Sequence, residues 1–168
     1  MNIRIFILFS LLSSAGFAET TFMSADWAEK TCQEWNQNKE ITKGLGGKWI
    51  KNNKERGYKI IHLHRSDCKD SPKVELTISE QNELAHCSYG GLVKHTQLVK
   101  EADYYLYASD EDWTCMGKAG WGCGPMGAMM TGKLMFEGPK TEAMSVMDPF
   151  ELFLKLTGKV QASQNCPK

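Results

Sequence analysis

The residues with the clearest chemical potential are the methionines, of which seven of nine lie between Met116 and Met147. Thioether side chains are flexible and polarizable, so they suit surfaces that receive ligands of varied shape. A well-defined core uses methionine sparingly because it packs loosely. One methionine alone is more typical of ordinary core, but the cluster as a whole favours the lining of an apolar binding tunnel.

Copper is the alternative ligand for the same region. The methionines between Met126 and Met135, together with Cys115 and Cys123, offer the soft donors that suit Cu(I). Two observations count against this hypothesis. The pattern places these methionines on opposite faces of short elements, and cysteines in an exported chain are typically oxidised. The copper hypothesis therefore stays second to the apolar tunnel.

Other residues give no clear catalytic or metal-binding signal. His62 and His64 share a strand face at a spacing that can ligate a metal, but no HExxH motif, CxxC pair or carboxylate cluster accompanies them. The GxSxG, GxGxxG and P-loop motifs are also missing from the sequence. Lys140, Glu142 and the acidic run Asp110–Asp112 are interpreted as solvated faces and helix caps. We therefore expect no enzyme, no cofactor and no metal site.

The first 18 residues have the pattern of a secretory signal peptide. Arg4 supplies the positive region, Ile5–Leu12 the apolar region, and Gly16–Ala18 a small-x-small cleavage site before Glu19. The apolar run is too short to span a membrane. We therefore predict residues 1–18 as a signal peptide and a mature protein, from 19 to 168, that is periplasmic or secreted.

Six cysteines in an exported chain favour disulfide bonds, although 15 complete pairings are possible and the sequence does not choose among them. Cys115 and Cys123 flank a glycine-rich turn and form the first predicted pair. Cys68 and Cys87 lie near strand ends and form the second. Cys32 and Cys166 remain, and their pairing would tie the first helix to the tail.

Length and charge limit the remaining possibilities. A mature chain of this length is one domain with a substantial core. The formal net charge is zero, so nothing indicates nucleic acid as a partner. The oligomeric state is not indicated by the sequence.

Periodicity predicts the elements that must position these residues. The predicted helices run from Ser24 to about Thr42, from Ser109, from Pro125, and from Pro139 with a restart at Asp148 and an end at Gly158. Trp49 begins strand-like sequence, and the predicted strands are Tyr58–Arg65, Lys73–Ser79, Leu84–Tyr89, Ala102–Ala108 and Lys133–Glu137. This order is typical of an α+β fold with helices over one face of a sheet.

The stretch Ala102–Leu156 resembles a known family. Its segment Met129–Gly138 (MMTGKLMFEG) is similar to the small-apolar, Gly-Lys-Leu, apolar, Gly segment near the end of sterol carrier protein type-two domains. The flanking elements, Ala102–Trp113 and Ala143–Leu156, match in character the strand-and-helix before it and the apolar helix after it. The resemblance implies about five mostly antiparallel strands covered by helices, with an apolar tunnel between the sheet and the helices.

The resemblance also implies a lipid carrier, here an exported bacterial form, that buries a sterol, hopanoid, fatty acid or phospholipid and contacts membranes transiently. The residues expected to line the tunnel are Trp113, Met116, Met126, Met129, Met130, Leu134, Phe136, Met144, Met147, Phe150, Phe153 and Leu154. Two alternatives remain open: a periplasmic copper-binding protein, and a non-catalytic accessory subunit that docks through its Met/Phe helix.

Overall fold

The computed structural model describes residues 19–168, so the predicted signal peptide lies outside the described residues. The helices are α1 (Ala25–Gln37), α2 (Lys39–Gly44), α3 (Lys48–Lys51), α4 (Asp110–Gly117), α5 (Pro125–Met130), α6 (Lys140–Ser145) and α7 (Met147–Leu156). The strands are β1 (Tyr58–Arg65), β2 (Val74–Gln81), β3 (Leu84–Leu92), β4 (Tyr104–Ala108) and β5 (Met135–Glu137).

The five strands form one sheet in the order β3-β2-β1-β4-β5. All neighbouring pairs are antiparallel except β1 and β4, which are parallel and are joined by the long β2–β3 excursion. The prediction of an α+β fold with five mostly antiparallel strands is confirmed.

The helices cover one face of the sheet, and the alternation of side chains along β1 explains which face. Ile61 lies opposite Leu76 of β2, and Leu63 lies opposite Leu106 of β4. All four side chains are buried. They form a core with apolar residues of α1 and α7, where the rings of Trp35 and Phe153 pack edge to face. The core therefore lies between the sheet and the helical layer.

Helix α1 lies directly on β3 because Gly90 has no side chain. A Cβ atom at Gly90 would lie 2.2 Å from the carbonyl oxygen of Ala28, closer than any real contact. At the other end of the contact, the Trp35 indole donates a hydrogen bond to the carbonyl of Ala85. Sequence patterns do not predict such a close approach between a helix and a strand. This approach nevertheless determines which cysteines come together.

The disulfide pairs are Cys32–Cys87, Cys68–Cys166 and Cys115–Cys123. The predicted Cys115–Cys123 pair is present, whereas the predicted Cys68–Cys87 and Cys32–Cys166 pairs are wrong. Cys32 meets Cys87 because α1 lies along β3, the edge strand of the sheet.

The C-terminal segment explains the second correction. It returns beside the end of β1, where the Arg65 guanidinium donates hydrogen bonds to the carbonyls of Gln164 and Asn165. This places Cys166 next to Cys68 in the turn that follows β1.

Three local predictions are also corrected. The first helix is interrupted at Asn38, whose side chain accepts hydrogen bonds from the first turn of a second helix, α2. Trp49 lies in the short helix α3 rather than in a strand. Helix α7 begins at Met147 without a side-chain cap, so Asp148 does not cap it. In each case a local pattern was compatible with two structures and tertiary packing decided between them.

Candidate ligand-binding site

An open, largely apolar pocket of about 290 Å³ lies among α5, β5 and α6. We call it the methionine pocket. Its lining residues are Met126, Met129, Met130, Leu134, Met135, Phe136, Lys140 and Met144. Met130 is 80% exposed, which is unusual for a large apolar side chain. The interpretation that these methionines lie on opposite faces is wrong, because α5, β5 and α6 fold around one space.

A tight turn brings α5 and β5 together. Thr131 ends α5, and the backbone N–H of Leu134 then donates to the carbonyl of Ala128 inside the helix. This reversal places the side chains of β5 beside those of α5. The methionines on both elements can therefore face the same pocket despite their spacing in sequence.

A second apolar space, the interior cavity, lies between the sheet and the helices and has a volume of about 10 Å³. Its lining residues are Trp35, Leu45, Trp49, Ile61, Tyr104, Leu106, Ala143, Val146, Phe150 and Phe153. It is too small for a lipid. In this conformation the expected tunnel is therefore represented by two separate spaces, a closed cavity and an open pocket.

Phe136 and α6 form the wall between these two spaces. The ring of Phe136, which lines the methionine pocket, packs edge to face against Tyr104 and Phe150, which line the cavity. On α6, Lys140 and Met144 face the pocket, whereas Ala143 faces the cavity. The wall is therefore thin: it consists of the Phe136 ring and of α6, which has only six residues and no side-chain cap.

A cluster of polar groups lies behind two aromatic walls of the cavity. The Lys59 ammonium donates hydrogen bonds to Glu142 Oε2 at 2.6 Å and to the carbonyl of Trp49 at 3.1 Å. The Tyr104 hydroxyl donates to the same Glu142 oxygen and accepts from the Trp49 indole N–H. Asn52 donates to the other oxygen of Glu142 at 2.7 Å. We call these five residues the Lys59–Glu142 cluster.

Burial dominates the electrostatics of this cluster. It lowers the pKa of Lys59, although the nearby Glu142 carboxylate acts in the opposite direction. Burial, followed by the hydrogen bond to Glu142, raises the pKa of Tyr104, so the phenol keeps its proton. The ammonium also lies 4.6 Å from the centre of the Trp49 ring, a cation–π contact.

The interpretation of Glu142 as a solvated side chain is wrong, because only 14% of its side chain is exposed. The role of Lys59 was missed altogether. A signal was present, since the alternation of β1 places Lys59 on the same face as Ile61 and Leu63. A lysine on a buried strand face needs a partner, but the partner lies 83 residues further along the chain and no local pattern identifies it.

The structure distributes the predicted tunnel residues among three environments. Six of them line the methionine pocket: Met126, Met129, Met130, Leu134, Phe136 and Met144. Phe150 and Phe153 line the interior cavity. Trp113, Met116 and Leu154 lie in the core, and Met147 is half-buried against it.

The opposite face of the sheet carries a separate polar group. The buried carboxylate of Glu75 accepts hydrogen bonds from the backbone N–H groups of Lys94 and His95 and from the Thr77 hydroxyl. His62 is also buried, and its Nε2 lies 3.4 Å from Oε2 of Glu75. Within residues 19–168, no group of three or more His, Cys, Asp or Glu side chains is placed to hold a metal ion. The hydrogen bonds from Lys94 and His95 to Glu75 anchor the segment that follows β3.

Trp121 is a further exposed apolar residue close to the methionine pocket. Its side chain is fully exposed, at 100%. It lies in the loop closed by the Cys115–Cys123 disulfide, and the carbonyl of Gly122 in that loop packs against Gly127 of α5. The loop that carries Trp121 therefore packs against α5, the helix that carries Met126 and Met130.

These features define an α+β protein whose helices cover one face of a five-stranded sheet, with apolar spaces beside and beneath the helical layer. No family model matches the sequence, and no curated protein matches it. In the described part of the chain, none of the helices is long and apolar enough to cross a membrane.

Solved structures identify the fold. The crystal structure of sterol carrier protein 2 matches with a TM-score of 0.55 at 16% sequence identity, over 82% of this chain and 98% of that chain. A conserved hypothetical protein of Thermus thermophilus, named as a candidate sterol carrier protein, matches with a TM-score of 0.51 at 15% identity, over 89% and 99%. The chain has the fold of sterol carrier protein 2.

Proposed function

We propose that this protein is an exported, non-catalytic lipid-binding protein that carries an apolar ligand such as a sterol, hopanoid, fatty acid or phospholipid. The observation that supports it best is the thin wall between an open methionine pocket and an interior apolar cavity. The sterol carrier names of the proteins that share its fold, and three disulfide bonds, agree with this proposal.

The thin wall explains how a lipid could be bound. When Phe136 and α6 move apart, the methionine pocket and the interior cavity join into one apolar space. A ligand that enters loses its contact with water, and each Å² of buried apolar surface contributes about 25 cal/mol. Such binding needs no catalytic group. The flexible methionines at the opening then accommodate ligands of different shapes.

The exposed apolar surface near the pocket gives the lipid a route to and from a membrane. Met130 in the pocket lining and Trp121 in the loop that packs against α5 are both strongly exposed, and a tryptophan is well suited to the boundary between lipid and water. We expect brief contact with a bilayer through this surface, which would let a lipid pass into the pocket without crossing bulk water.

The test begins with the mature protein purified from its host. Solvent extraction and mass spectrometry are expected to recover a co-purifying lipid, and the extracted protein should then bind a fluorescent fatty-acid or sterol analogue. Met130→Glu places a solvated charge at the opening and should weaken this binding about tenfold, since an apolar ligand that covers this position would remove the carboxylate from water. Leu92→Glu, at an exposed position on the edge strand β3, is the matched control.

Two results would contradict the proposal. The first is an extracted protein that binds neither analogue, and the second is a Met130→Glu variant that binds as the wild type does. A protein without lipid that instead binds a specific protein partner would support the accessory-subunit alternative.

A copper-binding function is the second candidate, and one observation favours it. Met126, Met129, Met130, Met135 and Met144 all line one pocket, which places several soft donors of the kind that Cu(I) prefers around a single space. The cysteines that the hypothesis also used are all in disulfide bonds and therefore provide no thiolate. Copper binding would have to rest on the methionines alone.

A further inference from the structure

The Lys59–Glu142 ion pair is costly for a purely structural contact. The Lys59 side chain is completely buried and that of Glu142 nearly so. Removing two charges from water consumes most of what their attraction returns, and well-packed apolar residues often stabilise a core as well or better. A role other than stability would explain why a lysine lies beneath a helical layer at this position.

The cluster has the geometry of a carboxylate receptor. The Lys59 ammonium and the Tyr104 hydroxyl both donate to the same oxygen, Glu142 Oε2. Both donors are fixed in advance: Lys59 by the Trp49 carbonyl, and Tyr104 by the hydrogen bond that its hydroxyl accepts from the Trp49 indole. Since the Tyr104 oxygen already accepts, its own proton is directed to the carboxylate. The receptor therefore belongs to the sheet and α3, and only its occupant belongs to α6.

The carboxylate that occupies this receptor belongs to Glu142 on α6, the helix that bounds both apolar spaces. Glu142 is followed on α6 by Ala143, which lines the interior cavity, and then by Met144, which lines the methionine pocket. Tyr104, which carries one of the two donors, and Trp49, which fixes both of them, line the cavity themselves. A ligand that enters between α6 and the sheet therefore meets the Lys59 and Tyr104 donors at one end of the apolar space.

We propose that Glu142 is an internal substitute for the ligand, and that the carboxylate of a fatty acid replaces it on Lys59 and Tyr104 when α6 moves away. This inference rests on the proposed lipid-binding function and gives it a ligand class. The exchange keeps Lys59 paired, since one carboxylate replaces another, and Glu142 returns to water. A neutral lipid that displaces α6 leaves Lys59 buried and unpaired, which is strongly unfavourable.

The experiment compares palmitate with hexadecanol, which has the same chain and a neutral head group. Displacement of a neutral fluorescent probe from the extracted mature protein gives both affinities. The wild type should bind palmitate about tenfold or more tightly than hexadecanol. Lys59→Met should remove this preference. Glu142→Gln should strengthen palmitate binding, because the competing internal carboxylate is lost. Glu151→Gln and Lys155→Met, in the exposed Glu151–Lys155 pair on α7, are the matched controls and should change neither affinity.

A second readout does not depend on the folding of Lys59→Met. Palmitate labelled with carbon-13 at its carboxyl reports its own titration by NMR, and a bound carboxyl held by the Lys59 ammonium should have a pKa below the ordinary range of a carboxylic acid. Equal binding of palmitate and hexadecanol by the wild type, or an unshifted carboxyl titration, overturns this inference while leaving lipid binding intact. Binding of neither compound, with retained binding of the fluorescent sterol analogue, also overturns only this inference, whereas loss of all three overturns the proposed function.

Discussion

At the scale of single residues, Gly90 sets the distance between α1 and β3. We predict that Gly90→Ala lowers the free energy of unfolding by about 1–3 kcal/mol, because the new methyl group would collide with the backbone of Ala28 and push α1 away from the sheet. Chemical denaturation measures the change. Gly124→Ala is the control, since its Cβ would meet no atom within 4 Å. Equal stability of Gly90→Ala and the wild type would contradict the close packing described here.

His62 and Glu75 make the fold sensitive to acid. Burial lowers the pKa of His62, against the opposing effect of Glu75; Lys73 lowers it further and Asp103 raises it. Burial raises the pKa of Glu75, but hydrogen bonds, the strongest from His95, outweigh it and the net shift is downward. Both groups therefore favour the folded state when deprotonated, and both lose that contribution as the pH falls.

We predict that the free energy of unfolding is constant near pH 8 and falls as the pH drops below about 6.5, the ordinary pKa of histidine. A second decrease should follow below about pH 4.3, where Glu75 would be protonated in the unfolded chain. His62→Gln should reduce the first decrease and keep the second; the remainder of the first belongs to His64, whose pKa is also lowered by burial. Urea denaturation across this pH range measures both. An unchanged first decrease in His62→Gln would assign it to another group.

The residue scale also shows what sequence reasoning can reach. The alternation of β1 puts Lys59 on the same strand face as Ile61 and Leu63, and five of the clustered methionines line one pocket in the structure. The partner of Lys59 was not predictable, because Glu142 reaches it only after the chain has crossed the sheet and returned. Local charge patterns then made Glu142 look like an ordinary surface residue.

At the scale of elements, the disulfide bonds differ in the length of chain that they close. The Cys68–Cys166 bond joins residues 98 positions apart, and the Cys115–Cys123 bond joins residues 8 apart. In the chain-entropy description, the longer loop restricts the unfolded state more. We predict that replacing both cysteines by alanine costs about 4–5 kcal/mol for the long bond and about 2–3 kcal/mol for the short one.

Thermal or chemical denaturation of the two double variants compares these costs. The unreduced wild type should contain no reactive thiol when denatured, and peptide mapping should recover the three pairs found in the structure. A mapped Cys68–Cys87 or Cys32–Cys166 peptide would restore the sequence prediction and contradict the packing of α1 on β3.

Strands were easier to predict than helices for a physical reason. Each of the first four strands has a side that faces the core; the predicted range Tyr58–Arg65 matches β1 in full, and every second residue of β4 is buried. The prediction of one continuous first helix was wrong at Asn38, because the sequence does not distinguish a residue that caps a second helix from an ordinary polar residue within one helix. The prediction of strand at Trp49 was wrong because an aromatic residue near glycines is compatible with either a strand or a single turn of helix.

At the scale of the whole molecule, the position of α6 joins the structural observations into one mechanism. The same short helix bounds the methionine pocket, bounds the interior cavity and contributes Glu142 to Lys59. A closed state without ligand is therefore held by apolar contacts and one buried ion pair. Under the proposed function, a ligand that satisfies both kinds of contact would take the place of α6, and the affinity of the protein would then depend on the shape and the head group of the lipid.

The methionine pocket is where the lipid and copper hypotheses differ most. We predict that a variant with leucine in place of Met126, Met129, Met130 and Met144 still folds and binds the fluorescent lipid analogue. Leucine preserves volume and hydrophobicity, and such exchanges usually cost less than about 1.5 kcal/mol each. The preferred chain length of the lipid should change, because leucine is stiffer than methionine.

Copper binding would respond in the opposite way. Thioether sulfurs are the soft donors available in this pocket, and leucine offers none, so Cu(I) affinity should collapse in the four-leucine variant if the methionines coordinate the metal. We expect retained lipid binding in the variant and no copper stoichiometry in either protein. Titration with Cu(I) under reducing conditions that leave the disulfides intact, followed by metal analysis, provides the measurement. A wild type that binds one Cu(I) tightly, and a leucine variant that has lost it while folding normally, would assign the pocket to copper and not to lipid.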